Sequence, residues 1–306
     1  MDISVIIPVY NEEDNIGLLH QRTSAVMEQL KVNYELIFVN DGSRDKSIEL
    51  VKELAQKHSE VKFIDFSRNF GHQVAVTAGL DRSTGDAVVI IDADLQDPPE
   101  LIIEMYQKLR SGYEVVYAKR KRRDGESFLK RFTARMFYRI LSKITSIHIP
   151  IDTGDFRIVD RKIVNILKQM PEKNKYLRGQ ISWIGFRQTY VEYDRQERHS
   201  GDTGYTYSKM LRFALDGITG FSDLPLKIVT YFGFIVSGFA FLVMVYALYS
   251  RFILQEYEPG WTSTILSILF IGGIQMIAIG IIGEYLSRMN SNIRNRPLYI
   301  VKDTNI

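Results

Sequence analysis

Residues 87–100 read AVVIIDADLQDPPE, and this stretch carries the two features that decide the fold. Its first half is an apolar, β-branched run without polar alternation, which is typical of a strand buried on both faces of a sheet. Its second half places Asp92, Asp94 and Gln96 directly after that strand. Ligands bind beyond the carboxyl ends of the strands in open parallel sheets. The stretch therefore predicts an α/β fold and the edge of the sheet at which a site should lie.

The same pattern recurs through the N-terminal half of the chain. Apolar runs with strand character lie at 3–9, 35–40, 61–66, 87–92 and 114–118. Helical patterns fill the gaps, at about 12–30, 45–58, 72–83 and 99–111. This alternation predicts a mainly parallel sheet, of Rossmann-like type, covered by helices on both faces. The sequence contains neither GxGxxG nor GxxxxGK[ST], which excludes a dinucleotide fingerprint and a Walker loop.

Composition narrows the class further. The chain has 306 residues, of which 45% are hydrophobic and 25% charged, so it can bury a large core. The absence of cysteine excludes a disulfide scaffold, a thiolate zinc site and a cysteine nucleophile. The net charge of +3 hides an asymmetry: residues 1–100 carry 18 acidic and 9 basic residues, whereas 119–143 carry 2 acidic and 10 basic. This asymmetry predicts an anionic partner that binds near the middle of the chain.

Two apolar tracts predict a membrane anchor. Ile228–Ser250 and Trp261–Gly283 each contain 23 residues without a formal charge, and about 20 helical residues span a hydrocarbon layer of roughly 30 Å. Buried core helices are the alternative, but such helices normally keep a polar face. The N-terminus begins with a strand-like run instead of a signal peptide. We therefore expect a soluble domain followed by a two-helix hairpin.

Basic residues near the tracts predict the orientation of that hairpin. Lysine and arginine precede the first tract and follow the second, whereas the connecting segment 255–260 has neither. Both termini and the soluble domain are therefore expected in the cytoplasm. The predicted organisation is a soluble domain at 1–204 and a juxtamembrane helix at 205–227, followed by two spans at 228–287 and a cytoplasmic tail at 288–306.

The carboxylates after the fourth strand are candidate metal ligands. In an extended chain Asp92 and Asp94 point to the same side, so both can meet one hard divalent cation and leave positions for phosphate oxygens. Asp-x-Asp alone is a weak signal, and solvated aspartates in a turn are the alternative interpretation. The following Pro98–Pro99 pair favours a helix start, so Asp97 is predicted to cap that helix.

Four ordered blocks resemble the family 2 glycosyltransferases of the GT-A fold. They are PVYNEEDNI, VNDGSRDKS, SRNFGHQVAVTAGL and IDADLQDPPELI. More narrowly, the chain is similar to the polyisoprenyl-phosphate glycosyltransferases, the group of dolichyl-phosphate mannose synthase and the GtrB-type bactoprenol glucosyltransferases. The apolar hairpin and the ending NRPLYIV are most similar to the GtrB branch.

This resemblance implies an activity. It implies inverting transfer of a hexose from a nucleotide-sugar to a polyisoprenyl phosphate at the cytoplasmic face of a bacterial inner membrane, with Mg²⁺ or Mn²⁺. Glucose from UDP-glucose and undecaprenyl phosphate are the preferred pair. GDP-mannose or a UDP-amino sugar as donor stays open, as does a catalytically silent scaffold. A processive synthase is disfavoured because Gln-x-x-Arg-Trp is absent.

The resemblance also implies roles for particular residues. The loop that holds the nucleoside in the family is matched by Pro8, Tyr10, Asn11 and Glu12, and the aspartate that reads the pyrimidine ring is matched by Asp41. The motif that binds the metal and the diphosphate is matched by Asp92 and Asp94, and the polar ligand next to that motif is matched by Gln96. Asp155 matches the acidic position near the acceptor, as a base or an orienting residue, and Arg198 matches an arginine that binds phosphate. For Tyr10, Asn11 and Asp41, turn formation is the alternative interpretation.

The basic region predicts contact with the acceptor and the membrane. The residues expected to bind the acceptor phosphate or anionic lipid are Arg120, Arg123, Arg131, Arg135 and Arg139. The last three recur every four residues within 127–147, whose other face is apolar, which is typical of a helix lying in a membrane interface. Nucleic acid is rejected as a partner because the apolar face needs burial, and a homo-oligomer is left open.

Histidine contributes nothing to the predicted site. His199 directly follows Arg198 and is interpreted as a bystander. His20, His58, His72 and His148 are scattered along the sequence and predict no metal cluster.

Overall fold

A computed structural model of the chain describes residues 1–121, 153–194, 224–249, 253 and 260–306. Elements are numbered over these ranges. The strands are β1 Ile3–Val9, β2 Tyr34–Asn40, β3 Val61–Phe66, β4 Ala87–Ile90, β5 Val115–Arg120, β6 Thr153–Asp160, β7 Gln188–Tyr193 and β8 Val301–Thr304. The helices are α1 Glu13–Leu30, α2 Ser47–Lys57, α3 His72–Arg82, α4 Leu101–Arg110, α5 Arg161–Gln169, α6 Leu177–Ile184, α7 Leu224–Tyr249 and α8 Trp261–Ile293.

The eight strands form one mixed sheet in the order β7-β5-β6-β4-β1-β2-β3-β8. The central strands β4, β1, β2 and β3 run parallel to one another, whereas β6 and β8 run antiparallel to the strands they pair with. The prediction of a mainly parallel α/β sheet is confirmed. The predicted strand and helix positions in residues 1–118 agree with the structure to within a few residues.

Side chains of the central strands alternate between two cores. Along β1, Ile3, Val5 and Ile7 pack on one face and Ile6 packs on the other. The first face is covered by α1, α2 and α4, and the second by α3, α5 and α6. Burial on both faces explains why these strands lack polar alternation. This burial also fixes the positions of the strand ends, and therefore the positions of the loops that follow them.

Strand β4 is shorter than predicted. It ends at Ile90, so Asp92 and Asp94 lie in the turn that follows and not in extended chain. The argument from i and i+2 in a strand is therefore wrong for this pair. Leu95 in the same turn has a φ of 58°, a left-handed conformation that costs a non-glycine residue about 1–3 kcal/mol. The turn, rather than the strand, positions the two carboxylates.

Helices α7 and α8 confirm the two apolar tracts as helices. The segments Pro225–Val243 and Phe270–Ile293 are long and apolar enough to cross a membrane, with mean hydropathy 1.9 and 1.5 and none of either segment buried. Their large side chains face outward; Phe234 and Met276 are 72% and 69% exposed.

The segment predicted as a plain tail contains regular structure. Helix α8 continues to Ile293, ten residues beyond the predicted end of its apolar tract, and β8 then joins the sheet beside β3. The boundary predicted at 204 and the predicted juxtamembrane helix at 205–227 lie largely outside the described residues.

Candidate active site

A cleft of about 320 Å³ opens at the carboxyl ends of β1, β2 and β4. The residues lining it are Pro8, Val9, Tyr10, Glu12, Asp41, Asn69, Gly71, His72, Asp92, Ala93 and Asp94. Six residues predicted from the sequence therefore line one cavity. Asn11, Gln96 and Asp155 lie beside it, as the following contacts show.

The loop after β1 is bound to the loop after β2. Asn11 has a φ of 56°, and its side-chain oxygen accepts a hydrogen bond from the Arg44 amide at 2.8 Å. Its own amide donates to Ser43 Oγ at 3.0 Å. Through these contacts Asn11 joins the two loops. The Tyr10 side chain is 45% exposed at the cleft. The turn interpretation describes Asn11 better than a direct ligand contact.

Asp41 holds the loop after β3. Its carboxylate accepts hydrogen bonds from the amides of Phe70 at 2.6 Å and Gly71 at 3.0 Å. Burial raises the pKa of Asp41, although both amides oppose that shift. We call residues 67–72 the cleft loop, because Asn69, Gly71 and His72 line the cavity. Asp41 thus shapes the cleft as well as facing it.

Gly42 sits where the loops after β2 and β3 pass each other. Its φ is 70°, and a Cβ built there would lie 2.6 Å from both the Arg68 carbonyl carbon and the Asn69 nitrogen. Real Cβ atoms essentially never approach backbone so closely. Only glycine therefore fits, on two independent grounds.

We expect Gly42→Ala to lower the free energy of unfolding and to open the cleft loop. The left-handed backbone alone costs about 1–2 kcal/mol, and the backbone clash adds to it. The check is the thermal midpoint of the purified protein. Gly17→Ala in α1 is the matched control: nothing lies within 4 Å of its Cβ, so it should stabilise by about 0.5–1 kcal/mol. Equal midpoints for both variants would contradict the account of Gly42.

The turn after β4 presents a buried, unsatisfied acidic oxygen. Oδ1 of Asp92 is buried and, within the part of the chain that the structure describes, has no hydrogen-bond partner. Asp94 accepts the Gln96 amide at 3.2 Å. Burial raises the pKa of Asp92 to about 6, despite the opposing charge of His72. Such an oxygen is stabilised by a cation, and a carboxylate pair is a donor set that Mg²⁺ or Mn²⁺ accepts. The residues present therefore fit a divalent ion.

An ionic cluster joins this turn to Asp155, which lies in β6, the antiparallel partner of β4. His72 Nε2 lies 3.5 Å from Asp92 Oδ1 and 3.3 Å from Asp155 Oδ2. Oδ1 of Asp155 accepts from Arg178 Nε at 2.9 Å and from Arg157 Nη2 at 3.3 Å. Asp155 therefore lies beside the cleft, held by contacts that the sequence did not indicate, and its role near the acceptor stays a prediction.

The cluster is held in its charged form. Burial alone would raise the pKa of Asp155, but the charges of Arg178, His72 and Arg157 lower it well below its ordinary value. Burial alone would lower the pKa of His72, yet Asp92 and Asp155 raise it to about 9. An aspartate this acidic is a poor proton acceptor.

His72, Arg157 and Arg178 were missed by the sequence analysis. The sequence did contain a signal for His72. Ligands bind beyond the carboxyl ends of parallel strands, and this rule points to the loop after β3, which ends at His72, as well as to the loops after β1, β2 and β4. Arg157 and Arg178 gave no comparable signal, because β6 and α6 were not predicted. The interpretation of His72 as a scattered histidine is wrong.

His20 and His58 are not scattered either. Their ring centroids lie 4.5 Å apart, and with Glu60 they form a group whose ligand atoms lie within 4.8 Å of one another. His20 lies in α1, and His58 and Glu60 lie just before the amino end of β3, whereas the cleft loop follows its carboxyl end. Burial lowers the pKa of His20, which favours its neutral form.

Asp97 does not cap a helix. The N-cap of α4 is Glu100, without a side-chain capping bond. Asp97 is instead 1% exposed, accepts a hydrogen bond from the Tyr193 hydroxyl, and lies 4.0 Å from Arg120. Arg120 also donates to Tyr193 at 3.3 Å. Of the basic residues predicted to bind phosphate or lipid, Arg120 thus contacts Asp97 and Tyr193; Arg123, Arg131, Arg135, Arg139 and Arg198 lie outside the described residues.

The sheet order and the acidic turn define a GT-A-like α/β protein. The chain belongs to glycosyl transferase family 2, whose family model matches residues 4–167. It is 54% identical over 299 residues to the uncharacterized glycosyltransferase YkcC of Bacillus subtilis, covering 98% of this chain and 93% of the relative. It is 41% identical over 302 residues to the prophage bactoprenol glucosyl transferase homolog of Escherichia coli, covering 99% of each.

Among solved structures, the chain is similar to glucosyl-3-phosphoglycerate synthase from Mycobacterium tuberculosis, in a crystal with Mn²⁺, UDP-glucose and phosphoglyceric acid. The TM-score is 0.47 at 18% identity, over 71% of this chain and 77% of that one.

Proposed function

We propose that this protein transfers a hexose, glucose from UDP-glucose, to undecaprenyl phosphate with inversion at the cytoplasmic face of a bacterial inner membrane. The observation that carries the proposal is the end-to-end likeness to a protein named as a bactoprenol glucosyl transferase homolog. That likeness covers 99% of both chains, so it includes the cleft and both apolar helices.

The charge of the cleft supports an anionic donor bound together with a cation. Asp41, Asp92, Asp94 and Glu12 line the cavity, and a diphosphate entering it alone would be repelled. Asp92 and Asp94 would hold Mg²⁺ or Mn²⁺, which supplies positive charge to the diphosphate as it leaves. Tyr10 and Pro8 offer apolar surface at the same cleft for a nucleoside.

The chemistry asks little of a general base. The acceptor phosphate oxygen forms a bond to the anomeric carbon while the bond from that carbon to the nucleoside diphosphate breaks, and attack from the opposite face inverts the centre. The second ionisation of a phosphate monoester lies near pH 6, so the nucleophile is already anionic at neutral pH. Asp155, held ionised by Arg157 and Arg178, is suited to orienting groups rather than taking a proton.

The position of β8 supports the proposed membrane topology. Strand β3 precedes both apolar helices and β8 follows them, yet the two strands pair. If the helices cross the bilayer, they must therefore cross it an even number of times. A two-span hairpin meets this condition and keeps the N-terminal domain and the C-terminus on one side. Lysine and arginine residues precede the first apolar tract and follow the second, and this excess favours a cytoplasmic location for the N-terminal domain and the C-terminus.

The decisive experiment is a donor panel. Purified full-length protein is incubated with polyisoprenyl phosphate, MgCl₂ and either UDP-glucose, GDP-mannose or a UDP-amino sugar, and lipid-linked product is measured. We expect product with UDP-glucose, loss of product with excess chelator and recovery with Mg²⁺ or Mn²⁺. Product only from another donor would redirect the sugar assignment. No product from any donor would favour the silent scaffold.

A further inference from the structure

The C-terminal strand closes an edge of the sheet next to the cleft loop. Strand β8 pairs antiparallel with β3, with Ile64 opposite Thr304 and Phe66 opposite Val301. The pairing continues past the end of β3, where the Ser67 amide donates to the Ile300 carbonyl at 3.0 Å. Ser67 is the first residue of the cleft loop. The last residues of the chain thus bond directly to the start of that loop.

An aromatic stack extends this contact into the loop. The ring of Tyr299 stacks on Phe66 with centroids 5.1 Å apart and planes at 21°. Phe66 in turn meets Phe70 edge to face at 5.6 Å. The Tyr299 hydroxyl donates to Asp81 Oδ2 at 3.1 Å, which fixes the ring against α3. Such aromatic pairs contribute beyond the area they bury, so the stack favours one position of Phe70.

Phe70 is also the residue through which Asp41 holds the cleft loop. The Phe70 amide donates to Asp41 at 2.6 Å, and the adjacent Gly71 amide donates to the same carboxylate. The side chain of Phe70 is therefore held from the β8 side while its backbone is held from the β2 side. Asn69 and Gly71, the residues on either side of Phe70 in the chain, line the cleft.

From these contacts we infer that Tyr299 is a positioning residue for donor binding: through Phe66 and Phe70 it fixes the cleft loop that lines the donor site. The inference rests on the proposed function for the identity of the donor, but its geometry does not depend on which sugar is carried. Tyr299 follows the second apolar helix by only six residues. The end of that helix is thereby linked to the loop that lines the cleft.

The test begins with a readout that needs no donor. Amide hydrogen exchange is measured by mass spectrometry on the full-length protein for peptides covering 67–73. Tyr299→Ala removes the stack and should speed exchange at the Phe70 and Gly71 amides at least several-fold. Tyr299→Phe keeps the ring and loses only the hydroxyl contact, so it should restore most of the protection.

The matched control lies on the same strand, at the end far from the loop. Thr304 Oγ1 donates to the Phe63 carbonyl at 2.7 Å, and Thr304→Val removes that bond without touching the stack. This variant should leave exchange at 67–73 unchanged. Equal acceleration in Thr304→Val and Tyr299→Ala would mean that the whole sheet edge loosens, and would overturn the assignment to Tyr299.

The second readout is donor affinity, probed with UDP-glucose and MgCl₂. Tyr299→Ala should raise Kd and KM for UDP-glucose about tenfold and change kcat much less, because the reacting groups stay in place. Unchanged exchange together with unchanged Kd would sink the inference. If wild-type protein bound no UDP-glucose, the proposed donor would fail, and the exchange experiment alone would decide the role of Tyr299. Should Tyr299→Ala fold poorly, Tyr299→Leu keeps comparable apolar bulk without the ring and serves in its place.

Discussion

Asp94→Asn is expected to reduce sugar transfer by at least a hundredfold while leaving the fold intact. The amide keeps the shape of the carboxylate but removes the charge that would hold a divalent ion, and such charge stabilisation is worth several kcal/mol in a transition state. Asp94 accepts the Gln96 amide at 3.2 Å, and an asparagine oxygen can accept the same bond, so the turn should survive.

Two measurements separate loss of the ion from loss of structure. Mn²⁺ binding by electron paramagnetic resonance should weaken in Asp94→Asn, and the thermal midpoint should stay within a few degrees of the wild-type value. Asp86→Asn is the control, because Asp86 lies exposed at the amino end of the same strand. Full transfer by Asp94→Asn in excess chelator would refute the metal assignment.

Asp155→Asn should damage both stability and rate. Removing one partner of a buried ion pair typically costs about 3–5 kcal/mol, because it leaves the other charges uncompensated. Here those charges are Arg157, which is 1% exposed, and Arg178. The lowered pKa of Asp155 means that its stabilising charge is fully present above the pKa of an unfolded aspartate, about 3.9, and is lost only as pH falls through the lower folded value. The loss of thermal stability should therefore persist between pH 6 and 8.

The pH dependence of the rate distinguishes the two roles of Asp155. If it were a base, the defect of Asp155→Asn would shrink as pH rises and the acceptor phosphate ionises unaided. An orienting residue predicts a defect that is constant from pH 6.5 to 8 in single-turnover assays, and this is the expected result. If the loss of rate in Asp155→Asn disappeared at high pH, Asp155 would instead act as a general base.

A double-mutant cycle tests the ionic cluster itself. Arg178→Gln removes the cation that contacts Asp155 at 2.9 Å. The double variant Asp155→Asn/Arg178→Gln should be more stable than the sum of the single losses predicts, because one of the two charges that Asp155→Asn leaves uncompensated is gone. Strict additivity would show that the two side chains act independently.

The sequence predicted the parallel core because its signals are local. The apolar runs at β1, β2 and β4 indicate that these strands are buried on both faces of the sheet. The polar residues that follow the runs indicate the end of the strands at which the cleft forms. Pro8, Tyr10, Glu12, Asp41, Asp92 and Asp94 accordingly line one cavity. Which of them contact a donor stays a prediction.

The remaining features depend on contacts between distant segments. Strand β6 reaches the sheet beside β4 from about 70 residues away and brings Asp155 and Arg157 with it. Arg178 meets Asp155 from α6, a helix that gives no sign of its partner. The short strand β8 has only four residues, two of them charged, and nothing in VKDT indicates the strand it pairs with. Local periodicity carries no information about such pairings.

The late position of β8 has a consequence for biosynthesis. Thr304 bonds Phe63 across 241 residues, which a ribosome adds in about 12 to 48 seconds at 5–20 residues per second. Throughout that interval β3 is the outer strand of a sheet whose backbone groups on that side await a partner, and such an edge is a template for unwanted pairing between chains. A chain released early, after the second apolar helix but before residue 299, would keep this edge permanently. We expect that product to aggregate or be degraded, even though every residue of the cleft has been made.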